Sequence, residues 1–354
     1  MDFIELNQKI LPPDKNAMVQ AKSHWNSIAK PLDGLGELET ICVRAAGLLG
    51  SETFSLKKRM VVVFCADNGV VAEGVTQTDA SVTAIMAEAI ARGQSCVCRM
   101  AETAGAEVLP VDVGMFHRAA GVRDLHIADG TANIAVGPAM TKDQAIRAIE
   151  TGISIARELK KEGYELLSCG EMGIGNTTTS GAIASVLLQM PVEKAIGSGA
   201  GLSYEGLVRK RNTVRRAIET NRPEPNDAFD VLCKLGGFDI AGMAGLYLGG
   251  ALYRIPVIID GLISSVSALI AAMLCPNSTC AMIASHCSAE PAAESIMERL
   301  SLHPILWGRL KLGEGTGAVC MMPLLDLALS VYNNAMAFSE AGIPPYKREK
   351  RMAK

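Results

Sequence analysis

From residue 60 to residue 302 the chain alternates short apolar runs with longer stretches of helical period. The runs MVVVFCAD (60–67), EVLPVDVG (107–114), ELLSCGEM (165–172), IPVIIDG (255–261) and CAMIASH (280–286) are rich in Val and Ile, and each ends in polar residues or glycine. That is the pattern of strands covered on both faces. The segments AIMAEAIARG (84–93), KDQAIRAIETGISIARELKKEG (142–163) and AAESIMERLSL (292–302) repeat apolar residues at helical spacing. The order predicts an α/β fold, a mainly parallel sheet with helices on both faces. Residues 1–50 and 318–342 read instead as helices without strands, which predicts a small helical domain built from both chain ends and a large domain over 51–317.

The loops after the strands give the first hint of function. VVVFCAD runs into NGVVAEGV, LLSCGEM into GIGNTTTSG, VIIDG into LISSVS and MIASH into CSAEPAAES. Ligands of open parallel sheets bind beyond the carboxyl ends of the strands, where these loops gather. Gly, Asn, Asp, Glu, Ser and Thr are thereby brought to one edge.

Composition narrows the partners. Of 354 residues 20% are charged and 49% hydrophobic, with a net charge of −3. Apart from the tail KREKRMAK, which reads as a solvated terminus, there is no basic block, so neither nucleic acid nor an anionic membrane is expected as a partner. LISSVSALIAAML (262–274) is short for a membrane span and reads as a buried helix. The ten cysteines show no CxxC pairs, and Cys96 with Cys98 lacks a second pair to complete a zinc set. Reduced core thiols and the absence of a signal-peptide pattern place the expected compartment in the cytosol.

A few motifs carry candidate chemistry. GEMGIGNTTTSGA (170–182) is a glycine-rich strand-to-helix turn in which Gly173 and Gly175 free backbone N–H groups, while Asn176 and Thr177 to Thr179 offer caps; an anion at the positive helix end would fit. A purely structural turn explains the glycines but not Glu171. The spacing is neither GxGxxG nor a P-loop, which disfavours a dinucleotide dehydrogenase. In RKRNTVRR (209–216) most of the five basic residues read as a solvated face, with Lys210 the candidate to reach a phosphate. In SHCSAEP (285–291) a His286–Cys287 nucleophilic pair is opposed by geometry, since adjacent residues of an extended segment point apart, and Ser288 reads as a cap that also donates to an anion. Asp67 and Glu73 in DNGVVAEGV are further acids, equally readable as loop caps. LGEGTGA (312–318) sets Glu314 between glycines in a run without another charge, which reads as a placed carboxylate.

Taken together the motifs resemble the nicotinate-nucleotide:dimethylbenzimidazole phosphoribosyltransferases of cobamide lower-ligand assembly. KPLDGLGELE (30–39), CADNGVVAEGV (65–75), NIAVGPAMT (133–141), GEMGIGNTTTS (170–180), GLVRKRNTVRRAI (206–218), LGGFDIAGMAG (235–245), IPVIIDG (255–261), SHCSAEP (285–291) and LKLGEGTGA (310–318) stand in family order over nearly the whole chain. The resemblance implies a Rossmann-like catalytic domain and a pentosyltransferase activity: the 5-phosphoribosyl group of nicotinate mononucleotide passes to an aromatic base, giving an α-riboside phosphate and nicotinate. It implies Glu314 as catalytic base, Glu171 and Asp260 as acids at the ribose and reaction centre, and Gly173, Gly175, Asn176, Lys210 and Ser288 around the phosphate. No metal or other cofactor is implied, because the pyridinium leaving group departs as a neutral ring nitrogen. A homodimer, or a heterodimer with a paralogous subunit, is the expected assembly, and a non-catalytic or partner-dependent subunit is the competing reading.

One departure bears on the acceptor. Met86 stands where benzimidazole-using members carry a glutamine that can bond the second ring nitrogen, Thr78 stands where serine is common, and Met172 and Leu312 border the same base pocket by motif position. A thioether packs on an aromatic face but donates no hydrogen bond. A phenol has no second polar atom to leave unpaired, so position 86 favours phenol or p-cresol over 5,6-dimethylbenzimidazole.

Overall fold

The computed structural model describes residues 1 to 347; the tail from 348 onward, most of KREKRMAK, lies outside the described residues. Its centre is a six-stranded parallel sheet in the order β3-β2-β1-β4-β5-β6, made by β1 (Arg59–Ala66), β2 (Ala106–Gly114), β3 (Arg123–Asp124), β4 (Leu166–Met172), β5 (Val257–Ile259) and β6 (Met282–Ala284). Five of these are the apolar runs read from the sequence. The sixth, β3, is a two-residue edge strand paired with β2 at Val111 and Asp112, too short and too polar to show a hydrophobic period.

β1 is buried along its whole length and pairs with β2 on one side and β4 on the other. The chain order reverses there, and a doubly wound sheet of this order opens its ligand crevice at that point, beyond the carboxyl ends. Asp67 follows β1 and Gly173 follows β4, so the two glycine-rich loops become neighbours.

The helices that sheathe the sheet are apolar all round where they are covered twice. Phe238–Leu252 buries every residue to Ala251, and small residues let it approach its neighbour: a Cβ on Gly245 would stand 2.0 Å from the Ile149 carbonyl oxygen of the helix Lys142–Lys161. Leu262–Leu274 is the buried helix expected there, with Ser265 and Ser267 donating one turn back to Gly261 O and Ile263 O. The helix Thr316–Asn334 has the length and composition of a membrane span, but 56% of its apolar window is buried within the protein and Pro323 interrupts it.

Two compact units result. The larger comprises residues 1–11 and 56–321, and the smaller comprises 12–55 and 322 onward. The expected division at residue 50 and the assignment of the first residues to the small unit therefore need correction. The opening helix Phe3–Lys9 belongs to the large unit, where the Phe3 ring lies 5.4 Å from that of Phe229 and Asn277 Nδ2 donates to Asn7 O. In the small unit the KPLDGLGELE motif closes on itself. Lys30 Nζ meets the buried Glu39 carboxylate at 2.5 Å, and Leu35 N–H donates to the same oxygen.

Candidate active site

A cavity of about 260 Å3 opens beyond β4 and β5 in the large unit. Its wall is made of Val75 to Thr78, the β4 turn Glu171 to Thr177, the Ser198–Ala200 loop with Lys210, Asp260 to Ile263, His286, Ser288 and Glu290, and Leu310 to Gly313 with Thr316. The strand-end loops thus converge as the sequence pattern anticipates. Of the twelve candidate site residues, ten line this cavity; Met86 and Glu314 do not.

Glycine makes the convergence possible. Gly170, inside β4, lies so close to the 313–315 loop that a Cβ there would stand 2.2 Å from the Glu314 carbonyl carbon. Gly313, Glu314 and Gly315 run through the left-handed region at φ +89°, +61° and +91°. For a glutamate that conformation costs roughly 1 kcal/mol or more, and such strain concentrates at functional sites. The loop holds Glu314 buried with its Oε2 accepting from Val97 N–H at the start of the helix Cys96–Thr103, 3.1 Å away. The carboxylate is placed, as LGEGTGA suggests, but it is bonded to a helix amino end rather than set in the cavity wall.

Glu171 is the acid that faces the cavity. Burial, with Asp239, Asp260 and Glu314 nearby, pushes its carboxyl well above the ordinary range, against a hydrogen bond from Asn176 that lowers it. That bond engages the amide of Asn176, a residue expected at the phosphate: Nδ2 donates to Glu171 Oε2 at 2.6 Å and to Asp239 Oδ2 at 2.9 Å. The side chain does not cap the helix Asn176–Leu187, whose amino end is formed by Gly175 at φ +97° without a side-chain cap. Gly173 is required by the same cluster, since a Cβ would meet Asp239 Oδ2 and Ala66 O at 2.7 Å.

Asp260, after β5, accepts from Ala318 N–H at the amino end of Thr316–Asn334. Burial raises its carboxyl, and His286 and backbone N–H groups oppose the rise. His286 lines the cavity, and burial lowers its imidazole against the pull of Asp260. Ser285 Oγ donates to Ile259 O at 2.6 Å, so it accepts from His286 Nδ1 at 3.1 Å and leaves Nε2 as the free ring nitrogen. Cys287, its neighbour in sequence, lines a separate cavity with Trp307 and Arg309. The two do point apart, and no nucleophilic pair forms.

Lys210 supplies the opposite charge. The four arginines of RKRNTVRR are tied to protein acceptors, such as Arg209 to Gly74 O and Arg216 to Glu73, whereas Lys210 is 1% exposed and turned inward. Its Nζ donates to Thr177 Oγ1 at 2.8 Å under the loop at Gly199, and burial pulls its pKa down to about 8, with Glu290 opposing. Glu73, held by Asn133 and Arg216, and Asp67, held by Phe116 N–H, are loop anchors outside the cavity wall. Sequence reading passed over Ser198–Ala200, for which the glycines of GSGAG (197–201) before the basic helix were the available signal, whereas Thr177, read as a cap, and His286, read as half of an opposed nucleophilic pair, also line the cavity.

Thr78, Met172 and Leu312, expected at the base pocket, line the cavity wall together with Val75 and Leu310. Met86 sits half-buried on the helix Ser81–Ala91. Among the described residues no group of His, Cys, Asp and Glu is arranged to hold a metal ion.

A phosphoribosyltransferase family model matches residues 10–343. A nicotinate-nucleotide–dimethylbenzimidazole phosphoribosyltransferase of Ruminiclostridium cellulolyticum is 42% identical over 349 residues, covering 98% of this chain and 99% of the relative. The enzyme of the same name from Acetivibrio thermocellus is 43% identical over 335 residues, 94% and 95% of the two chains. The crystal structure of CobT from Thermus thermophilus superposes with a TM-score of 0.87 at 38% identity, covering 93% of this chain and 99% of that one. With a parallel sheet of matching architecture, acids and a buried lysine around the cavity at its carboxyl edge, and full-length relatives at this identity, the chain belongs to the nicotinate-nucleotide–dimethylbenzimidazole phosphoribosyltransferase family.

Proposed function

We propose that this enzyme transfers the 5-phosphoribosyl group of nicotinate mononucleotide to an aromatic lower-ligand base, giving an α-riboside phosphate and nicotinate for cobamide synthesis. The observation that carries the reading is a single cavity with a desolvated lysine on one wall and two buried acids on another. Lys210, the turn at Gly173 and Gly175, and Ser288 hold the phosphate; Glu171 and Asp260 face the ribose, where carboxylates stabilise positive charge developing at C1. The apolar end at Val75, Met172, Leu310 and Leu312 takes the flat base.

The acceptor loses a proton as it attacks C1. The resemblance assigns that proton to Glu314, whereas the geometry favours Glu171, whose carboxyl lines the cavity and has a raised affinity for a proton. The acceptor itself has two readings. Phenol or p-cresol is favoured by the missing amide at position 86, and 5,6-dimethylbenzimidazole by the names of the relatives. Because Met86 is not in the cavity wall, the apolar lining serves both.

A competition assay tests all of this: purified protein with nicotinate mononucleotide and equal phenol, p-cresol and 5,6-dimethylbenzimidazole, the products resolved by mass, with Glu171→Gln and Glu314→Gln alongside. An α-riboside phosphate from the parent supports the activity. Its loss in Glu171→Gln with retention in Glu314→Gln supports Glu171 as the proton acceptor, and the reverse supports Glu314. No product with any acceptor would overturn a self-sufficient enzyme and point to the partner-dependent subunit.

A further inference from the structure

Beneath the cavity the large unit buries more acid than it balances with cations. Glu171 is 7% exposed and Asp239, in the first turn of Phe238–Leu252, is fully buried. One nitrogen, Asn176 Nδ2, serves both carboxyl groups at 2.6 and 2.9 Å. A further donor to Asp239 is the backbone N–H of Ile240, and among the described residues no lysine or arginine is paired with either acid. Two carboxylates sharing a buried site without a cation do not both ionise.

Beside Asp239 lies an orphaned acceptor. Asn68 Oδ1 is buried without a partner. It lies 2.7 Å from the point where a Cβ on Gly237 would sit, and Asp239 Oδ1 lies 2.4 Å from that same point. Turning the Asn68 amide over would not help, because its Nδ2 donates to Ile174 O and the exchanged oxygen would face that carbonyl. Asp239 Oδ1 already accepts from Ile240 N–H, and an O–H on Asp239 would give Asn68 Oδ1 the donor it lacks.

We propose that Glu171 and Asp239 hold one proton between them across the Asn176 bridge, and that Asp239 is thereby a positioning residue that sets the proton affinity of Glu171 toward the ligand. With the proton on Asp239, donated to Asn68 Oδ1, Glu171 meets the cavity as a carboxylate able to accept. With the proton on Glu171, it meets the cavity as a donor. When Glu171 takes the acceptor's proton the pair passes from one proton to two, and the second leaves to solvent with the product. The other titratable groups acting on the pair are Cys65 and Asp67 at β1, Cys169 on β4, Asp260 after β5 and Glu314. Burial holds Asp239 at about 6 and Glu171 well above its ordinary range, in keeping with shared titration.

This deepens the reading of Glu171 as part of the reaction site and rests on it, and infrared titration of the ligand-free enzyme tests it without using activity. The parent at neutral pH is expected to show a buried protonated carboxyl that disappears in Glu171→Gln or is redistributed in Asp239→Asn. Because Asp239→Asn removes the neighbouring charge, the Glu171 midpoint should fall by about one pH unit, a tenfold change in proton affinity. The acid limb of kcat should move with it while KM for nicotinate mononucleotide stays within about twofold. A parent spectrum without any protonated carboxyl at neutral pH would overturn the proposal even if no variant folded. So would an unmoved Glu171 midpoint in Asp239→Asn. Full activity in Glu171→Gln alongside the expected infrared result would instead remove Glu171 from the chemistry and leave the shared proton standing.

Discussion

Lys210 and Glu171 are buried to nearly the same depth, 1% and 7% exposed, but the chain supports them in opposite ways. Lys210 has one hydroxyl partner and no bonded carboxylate, so burial draws its pKa down to about 8. Glu171 ends a strand and accepts from an amide that a second acid also holds; burial and the neighbouring acids raise its carboxyl against that bond. A cation left unpaired in the interior costs stability and is explained when an anionic ligand offsets that cost on binding. An acid compensated from within is tuned for proton exchange. On the reading proposed above, the lysine wall serves binding and the acid wall serves chemistry.

The largest effect should come from breaking the acid wall. Glu171→Gln keeps the shape and the Asn176 contact but cannot take a proton, and kcat is expected to fall on the order of 10²–10⁴-fold with KM for nicotinate mononucleotide little changed. Steady-state kinetics on both substrates check it. Breaking the lysine wall should do the reverse. Lys210→Met removes a charge-assisted contact of about 1.5–3 kcal/mol, so KM for the mononucleotide should rise about 10–100-fold. A thermal shift with inorganic phosphate should be lost in the same variant.

The two walls should also separate by pH. Lys210 is charged below its pKa of about 8 and neutral above it, so KM for the mononucleotide should climb as pH rises past that value, and the climb should be absent in Lys210→Met. Glu171 must be ionised to accept a proton, so kcat should fall as pH drops through its raised pKa. A single profile in which both limbs vanish with one variant would break the division of labour.

Gly173 tests the packing that joins the walls. A Cβ there would meet Asp239 Oδ2 and Ala66 O at 2.7 Å, so Gly173→Ala should destabilise the fold by about 1–3 kcal/mol, measured as a lowered denaturation midpoint. An unchanged midpoint would show that the acid cluster does not require a glycine at 173 and leave the phosphate as the reason for it.

Much of this was legible in the chain, and the rest was hidden for physical reasons. The five strands with apolar runs could be read because a doubly covered strand must be apolar throughout, whereas β3 is two polar residues held by its neighbour's register. Lys210 could be singled out by its place after a glycine turn, and the four arginines beside it bond instead to Gly74, Glu193 and Glu73. Asp239 could not. LGGFDIAG reads as the start of an apolar helix, and only the fold brings its acid to Asn176, 63 residues away along the chain. The direction of the Glu314 side chain was hidden for the same reason, because Val97 is distant in sequence and nothing in LGEGTGA names it.

The smallest effect sharpens the acceptor end. If Met86 formed part of the base pocket, Met86→Gln would place an amide beside the acceptor's second nitrogen and favour benzimidazole by about 1–3 kcal/mol, roughly 5- to 150-fold in product ratio. The structure keeps Met86 on the helix Ser81–Ala91, outside the wall formed by Thr78, Met172 and Leu312. The expected change in the ratio of phenolic to benzimidazole product is therefore under about threefold, equivalent to ~0.6 kcal/mol. A larger shift toward benzimidazole would show that the helix moves inward when the acceptor binds, and it would restore position 86 as the residue that chooses the base.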